Sequence, residues 1–166
     1  MREPLSVDPS RRRELERFTR YVVKGPGPSC WIWTGAIADD GYGRFWISRN
    51  GRQRVVRPHR YALALELGRP LTEDINALHE VCDNPICVRA SDALGRPHVV
   101  AGTQAENLAT MGAKGRGGGR PSFQWYGADK AARAARSRAL REAVRGGWNQ
   151  RAVDLALLAS DEPTLF

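Results

Sequence analysis

A chain of 166 residues with a hydrophobic share of 42% has room for one ordinary domain and an appendage, but no apolar run approaches the roughly 18 residues of a membrane span. The first 24 residues hold the basic run Arg11-Arg12-Arg13 without an apolar h-region behind it, so no secretory leader is recognisable and a cytoplasmic, intracellular protein is expected. The formal charge of +8 points to a polyanionic partner and away from a membrane-embedded one.

The charge is unevenly spread. Between Lys114 and Arg151 ten basic residues, among them Arg133, Arg136 and Arg141, face only Asp129 and Glu142, so this segment accounts for the whole excess. A second basic run, Arg44, Arg49, Arg52, Arg54, Arg57 and Arg60, has no acidic residue among its members. It suits a phosphate-facing surface, with Arg44, Arg52 and Arg57 as DNA contacts alongside the three tail arginines.

In chain order, Leu15, Phe18, Val22 and Val23 recur at helical spacing, which predicts an amphipathic helix over 11–23 within an amino-terminal segment 1–24. Cys30–Ile37, Gly41–Ile47 and Arg52–Val56 carry aromatic and β-branched residues, and Asn50-Gly51 is a hairpin turn signal, so an antiparallel β-meander is expected. His59–Leu67 has helical periodicity stopped by Gly68 and Pro70. Ile75–Val81 then reads as a strand with His79 near its end, followed by a long irregular loop from Cys82 to Pro97. Thr103 with Glu106 three residues later is a capping box, which starts a helix at Gln104, runs it to about Met111 and puts Asn107 in its first turns. Residues 113–127 are glycine-rich and read as a linker, and 128–166 as a basic helical tail with helices over Asp129–Val144 and Arg151–Ala159. The fold class is α+β, with the main domain at 25–112.

Three cysteines cannot all pair with one another, and an intracellular setting disfavours disulfides. Cys82 and Cys87 flank Asp-Asn-Pro-Ile, whose Asn-Pro step turns the chain so that two thiolates reach a common point. Thiolates from Cys30, Cys82 and Cys87 with the imidazole of His98 would make a closed tetrahedral zinc site of the structural kind. His59 is the reserve ligand, although its place just before a helix suits packing better. The tryptophans, Trp31, Trp33 and Trp46 among them, fit a core better than a base-stacking platform.

Five segments in this order resemble the HNH, or ββα-metal, nucleases, especially actinobacterial and phage HNH proteins and more distantly the His-Cys box homing endonucleases. They are Cys-Trp-Ile-Trp-Thr-Gly at 30–35, Gly-Tyr-Gly-Arg at 41–44, His-Arg at 59–60, Leu-His-Glu-Val-Cys-Asp-Asn-Pro-Ile-Cys-Val at 78–88, and Gly-Thr-Gln-Ala-Glu-Asn at 102–107. The resemblance implies a nuclease domain at 25–112 containing a ββα-metal motif. It implies His79 as general base, Asn107 at the catalytic Mg²⁺ or Mn²⁺, and Cys30, Cys82, Cys87 and His98 at a structural Zn²⁺. The chain departs from the family where Arg89 to His98 replaces the Asn-Pro-Asp-His expected after the second loop cysteine.

The chemistry agrees with that assignment. Hydrolysing a phosphodiester needs an in-line water, a base that titrates near neutral pH, and positive charge on the phosphate and the leaving oxygen. Arg54 on the hairpin is the guanidinium assigned to the transition state. The expected substrate is double-stranded DNA, and a homodimer is expected if one site per chain is to cut both strands. Two rivals use the same residues: a zinc-stapled DNA-binding protein without nuclease activity, and a ribonuclease.

Overall fold

The computed structural model describes residues 3–113 and 123–158. The chain is a mixed α/β protein whose strands form three small antiparallel sheets of two strands each among the described residues. The first helix, α1, spans Arg12–Arg20 and is shorter than the 11–23 expected. Val22 and Val23 leave it to form β1 (Val22–Lys24), which pairs with β2 (Trp31–Trp33) in the register Val22↔Trp33. Two β-branched residues side by side favour an extended chain once a partner strand is within reach.

β3 (Phe45–Arg49) and β4 (Arg52–Val56) make the predicted hairpin, and Asn50 and Gly51 take φ of 51° and 73° as its tight turn demands. The continuous meander is not formed, because β2 pairs backwards with β1 instead of forwards with β3. Only the isolated Ile37↔Gly43 bridge lies between β2 and the hairpin. α2 (Pro58–Leu67) starts with proline in its first turn and stops at Gly68 in the left-handed region, φ 61°.

β5 (Asn76–His79) pairs with β6 (Val99–Gly102), a strand not anticipated, in the register His79↔Val99 and Asn76↔Gly102. α3 (Gln104–Ala113) follows at once. Its capping box is complete: the Thr103 backbone N–H donates to Glu106 Oε2 at 2.6 Å, and the Glu106 N–H to Thr103 Oγ1 at 3.2 Å. Gly102 allows this close turn, since a Cβ there would lie 2.3 Å from Leu78 Cδ1.

An aromatic cluster joins the first half of the chain. The Phe18 ring lies 5.5 Å from Trp33, 5.4 Å from Phe45 and 4.5 Å from Tyr61, so α1, β2, β3 and α2 share one core. Beside it, Arg49 grips Glu14 with two bonds of 2.7 and 2.9 Å, and Tyr61 donates to the same carboxylate at 3.0 Å. Burial pushes Glu14 upward, but the bonds from Arg49 and Tyr61 outweigh it and hold the carboxyl below its usual range.

The carboxy-terminal segment is docked on this body and is not a pendant tail. α4 (Phe123–Ala143) begins inside the interval read as linker, and α5 is Gln150–Leu158. Leu140, Val144, Val153 and Ala156 belong to the same hydrophobic core as Phe18 and Trp33. Ala134 and Ser137 share the buried face of α4, and small side chains there let the body approach closely. Gly41 (φ 84°) sits so near that a Cβ would be 2.8 Å from Arg133 Cγ. The glycine-rich run 114–122 and the far end of the tail, 159–166, lie outside the described residues.

Candidate metal centre and the histidine beside it

The knuckle is built by backbone first. Asn84 is buried, its Oδ1 accepts from the Ile86 N–H at 3.1 Å and its carbonyl from the Cys87 N–H at 3.0 Å, which closes the turn between Cys82 and Cys87. Residues 86–88 then pair with β2: Trp33 N donates to Ile86 O and Val88 N to Trp31 O, both at 2.8 Å. That pairing brings Cys30, which immediately precedes β2, to the knuckle. His98 is held from the other side, its N–H on the Arg89 carbonyl at 2.9 Å and its own carbonyl on the Glu80 N–H at 3.1 Å.

The ligand atoms of Cys30, Cys82, Cys87 and His98 consequently all lie within 4.8 Å of one another. His98 Nδ1 is 3.4 Å from Cys30 Sγ and 3.5 Å from Cys87 Sγ. A tetrahedral site with ordinary zinc–sulfur and zinc–nitrogen bonds has sulfur–nitrogen edges of about 3.5 Å. The donors thus fit a metal ion such as zinc.

Their acidities favour the same conclusion. Cys30 is pushed up to about 12, first by its hydrogen bond with Cys82, and burial together with the neighbouring thiols drives Cys87 upward as well. Cys82 falls far below the usual thiol range because Cys30 and then Cys87 donate to it, with His79 adding to the effect. One thiolate is stabilised at the expense of the other two. Three thiolates require a cation to compensate them.

The loop between Cys87 and His98 has its own anchor, which sequence reasoning missed. Arg89 is fully buried and donates to Gly27 O at 2.8 Å, Ser29 O at 2.9 Å and Leu94 O at 2.6 Å. One guanidinium thereby clamps this loop to the turn that delivers Cys30. No feature of the sequence separates this arginine from the exposed ones.

His79 ends β5 beside the knuckle. Its ring lies 5.0 Å from that of His59, which is buried at the start of α2 and packs in turn 5.4 Å from Tyr42. His59 is therefore a neighbour of His79 and not a fourth ligand of the cysteines. Burial first, and then the nearby His79, Arg57 and Arg60, hold its imidazole well below its ordinary value, so His59 is neutral at physiological pH. Asn107 is half-buried in the first turns of α3, its N–H on Thr103 O at 3.0 Å, and α3 packs against β5.

No family model matches this chain, and no solved structure matches it. Two curated proteins of Escherichia phage T7 do. Protein 7.7 is 37% identical over 87 residues, 52% of this chain and 58% of that protein. Protein 2.8 is 35% identical over 106 residues, 64% of this chain and 62% of that protein. The chain spans less than two thirds of the length of either relative, and neither name states an activity.

The basic residues divide sharply once placed. Arg49 is committed to Glu14, Arg57 grips Asp40 at 3.0 and 2.6 Å, and Arg60 donates to Ile75 O at 2.7 Å. In the tail, Arg133 donates to Asp40 O at 2.8 Å, Arg136 to Asp83 O at 3.2 Å and Arg141 to Gly35 O at 3.4 Å. These arginines fasten α4 to the body. Arg54 reaches toward the Pro4 carbonyl at 3.5 Å and shares a cavity with Glu3, Arg49, Asn50, Arg52 and Gln53. Arg44 and Arg52 stay exposed on the hairpin, whose outer face also presents Trp46, 41% exposed, opposite Val55. No described helix is long and apolar enough to cross a membrane.

Proposed function

We propose that this chain is a metal-dependent DNA endonuclease of the HNH type, with a structural zinc in the Cys30, Cys82, Cys87 and His98 site. The observation that carries the proposal is the antiparallel β5–β6 pair followed directly by α3, with His79 on the strand end and Asn107 on the packed helix. That order supports a ββα-metal motif, and the knuckle stands where such a motif needs bracing.

In this reading His79 takes the proton from the attacking water, and the Asn107 side-chain oxygen is a neutral, hard donor. A divalent cation bound there, Mg²⁺ or Mn²⁺, neutralises charge on the scissile phosphate and the leaving oxygen. Hydrolysis leaves a 5′-phosphate and a 3′-hydroxyl. Arg44, Arg52 and Trp46 on the exposed hairpin face supply duplex affinity, since a two-stranded ribbon fits the major groove. Arg133, Arg136 and Arg141 serve mainly to hold α4.

The test is nicking of supercoiled plasmid by the zinc-loaded protein with Mg²⁺ or Mn²⁺, set beside His79→Ala and Asn107→Ala at equal zinc content. Loss of a general base costs about 10²- to 10⁴-fold in rate and Asn107→Ala removes a ligand of the cation, so both variants should lose nicking while still binding plasmid. Plasmid that is retarded on a gel but never cut by the wild type supports the zinc-stapled binder instead, and cutting confined to RNA supports the ribonuclease.

A further inference from the structure

The orientation of a functional histidine is held by what packs on its ring and what its nitrogens meet. The Cys82 thiol meets one part of the His79 side chain. The other neighbour is a column of rings and guanidinium groups that runs out to α4. His59 lies 5.0 Å from His79 with planes at 52°, and Tyr42 lies 5.4 Å from His59 at 44°. Two guanidinium groups brace the Tyr42 ring, Arg57 at 4.7 Å and Arg133 at 5.8 Å. Asp40 ties those two together: its carboxylate receives both Arg57 bonds, its carbonyl receives Arg133 Nε, and its Oδ1 accepts the Tyr42 N–H at 3.1 Å.

His59 is an expensive choice for simple packing. It is 6% exposed and its Nδ1 has no hydrogen-bond partner among the described residues, where a phenylalanine would fill similar space without a stranded polar atom. We infer that Tyr42 and His59 are positioning residues for His79, a column that sets the orientation of its ring and makes that orientation depend on the docking of α4. The inference rests on the reading of His79 as the general base, and it adds to that site one residue from the loop before β3 and one from α2.

Three histidines in the chain make the test direct. In the zinc-loaded full chain with ¹³C-labelled histidines, each ring gives its own resonance, assignable by single substitutions. Tyr42→Leu should displace or broaden the His79 resonance while that of His98, in the knuckle, stays in place. Tyr42→Phe, which keeps the ring, should restore the wild-type position. In plasmid nicking, Tyr42→Leu should lower kcat by about ten- to a hundredfold with KM unchanged, the cost of a misplaced group. Should Tyr42→Leu not fold, Arg133→Ala removes one brace from the tail side and should move the same resonance less. A His79 resonance that stays fixed in the folded variant, or a KM that rises while kcat holds, overturns the inference. A wild-type chain that nicks nothing defeats the nuclease reading alone, and the resonance then decides the column by itself.

Discussion

Two polar joints hold distant segments together inside this protein, and they differ in what completes them. At one, Glu14, Arg49 and Tyr61 from α1, β3 and α2 satisfy one another, with the Arg49 and Glu14 side chains only 12% and 10% exposed. At the other, Cys30, Cys82, Cys87 and His98 from four points of the chain crowd their donors within 4.8 Å and push two thiols upward. A cation and an anion close the first joint. Donors alone leave the second unfinished, so its contribution to stability is conditional on an ion from solution.

The largest effect should come from the unfinished joint. Structural zinc in small domains is worth roughly 10 kcal/mol or more at neutral pH, which rivals the whole stability of a chain this size. Cys87→Ser, or chelation of the wild type, should abolish bound zinc and lower Tm by more than about 10 °C. Metal analysis and a thermal melt on the same sample check it. A chelated chain that melts where the loaded one does would remove the contrast between the joints.

Breaking the self-sufficient joint should cost less and ignore the metal. Glu14→Ala takes the carboxylate from a largely covered guanidinium that keeps its bonds to the Ser6 and Ser48 carbonyls, at about 2 kcal/mol, and urea unfolding should show nearly the same loss with zinc present and absent if the sites are independent. Coupling of the two losses would show that the aromatic core and the knuckle unfold as one unit.

The smallest effect belongs to a third version of the joint, on the surface. Arg57 first, with the Tyr42 N–H and Arg133 behind it, holds the Asp40 carboxyl down to about 2 from an ordinary 3.8. A depressed carboxyl adds stability that is present above its ordinary value and is lost as pH falls through the folded one. Both side chains are substantially exposed, 38% for Arg57 and 29% for Asp40. Solvent screening therefore keeps the contribution below about 1 kcal/mol. Asp40→Asn should be slightly less stable than wild type above pH 3.8, and the two denaturation midpoints should converge as the pH approaches 2.

The same contrast explains what could be read in advance. The knuckle was legible because metal ligands are rare residue types at short spacing, Cys82 and Cys87 across an Asn-Pro turn, and because a capping box marks α3 at Thr103. Glu14–Arg49 was not, since nothing in a sequence distinguishes an arginine that will meet a carboxylate 35 residues away from one that faces solvent. For this reason a basic run read as one phosphate surface became two exposed arginines among structural ones. β1 and β6 were missed because strands so short are defined by their partners and not by their own periodicity. The basic charge of the tail gave no sign of its docking, which rests on Ala134 and Ser137, small residues that form a contact face on α4.

The spread of the four metal donors also has a bearing on synthesis. Cys30 emerges early and His98 late, so closing the site links ends separated by about seventy residues, with an entropy cost that grows only slowly with that distance. At ribosomal rates of about 5–20 residues per second, the first thiol waits several seconds for the last ligand. During that interval Cys30 can be oxidised or capture an ion with the wrong partners. The hairpin and α2, which lie between the early and late donors, can fold in that window, whereas α4 and α5, which share the same core, emerge only after His98.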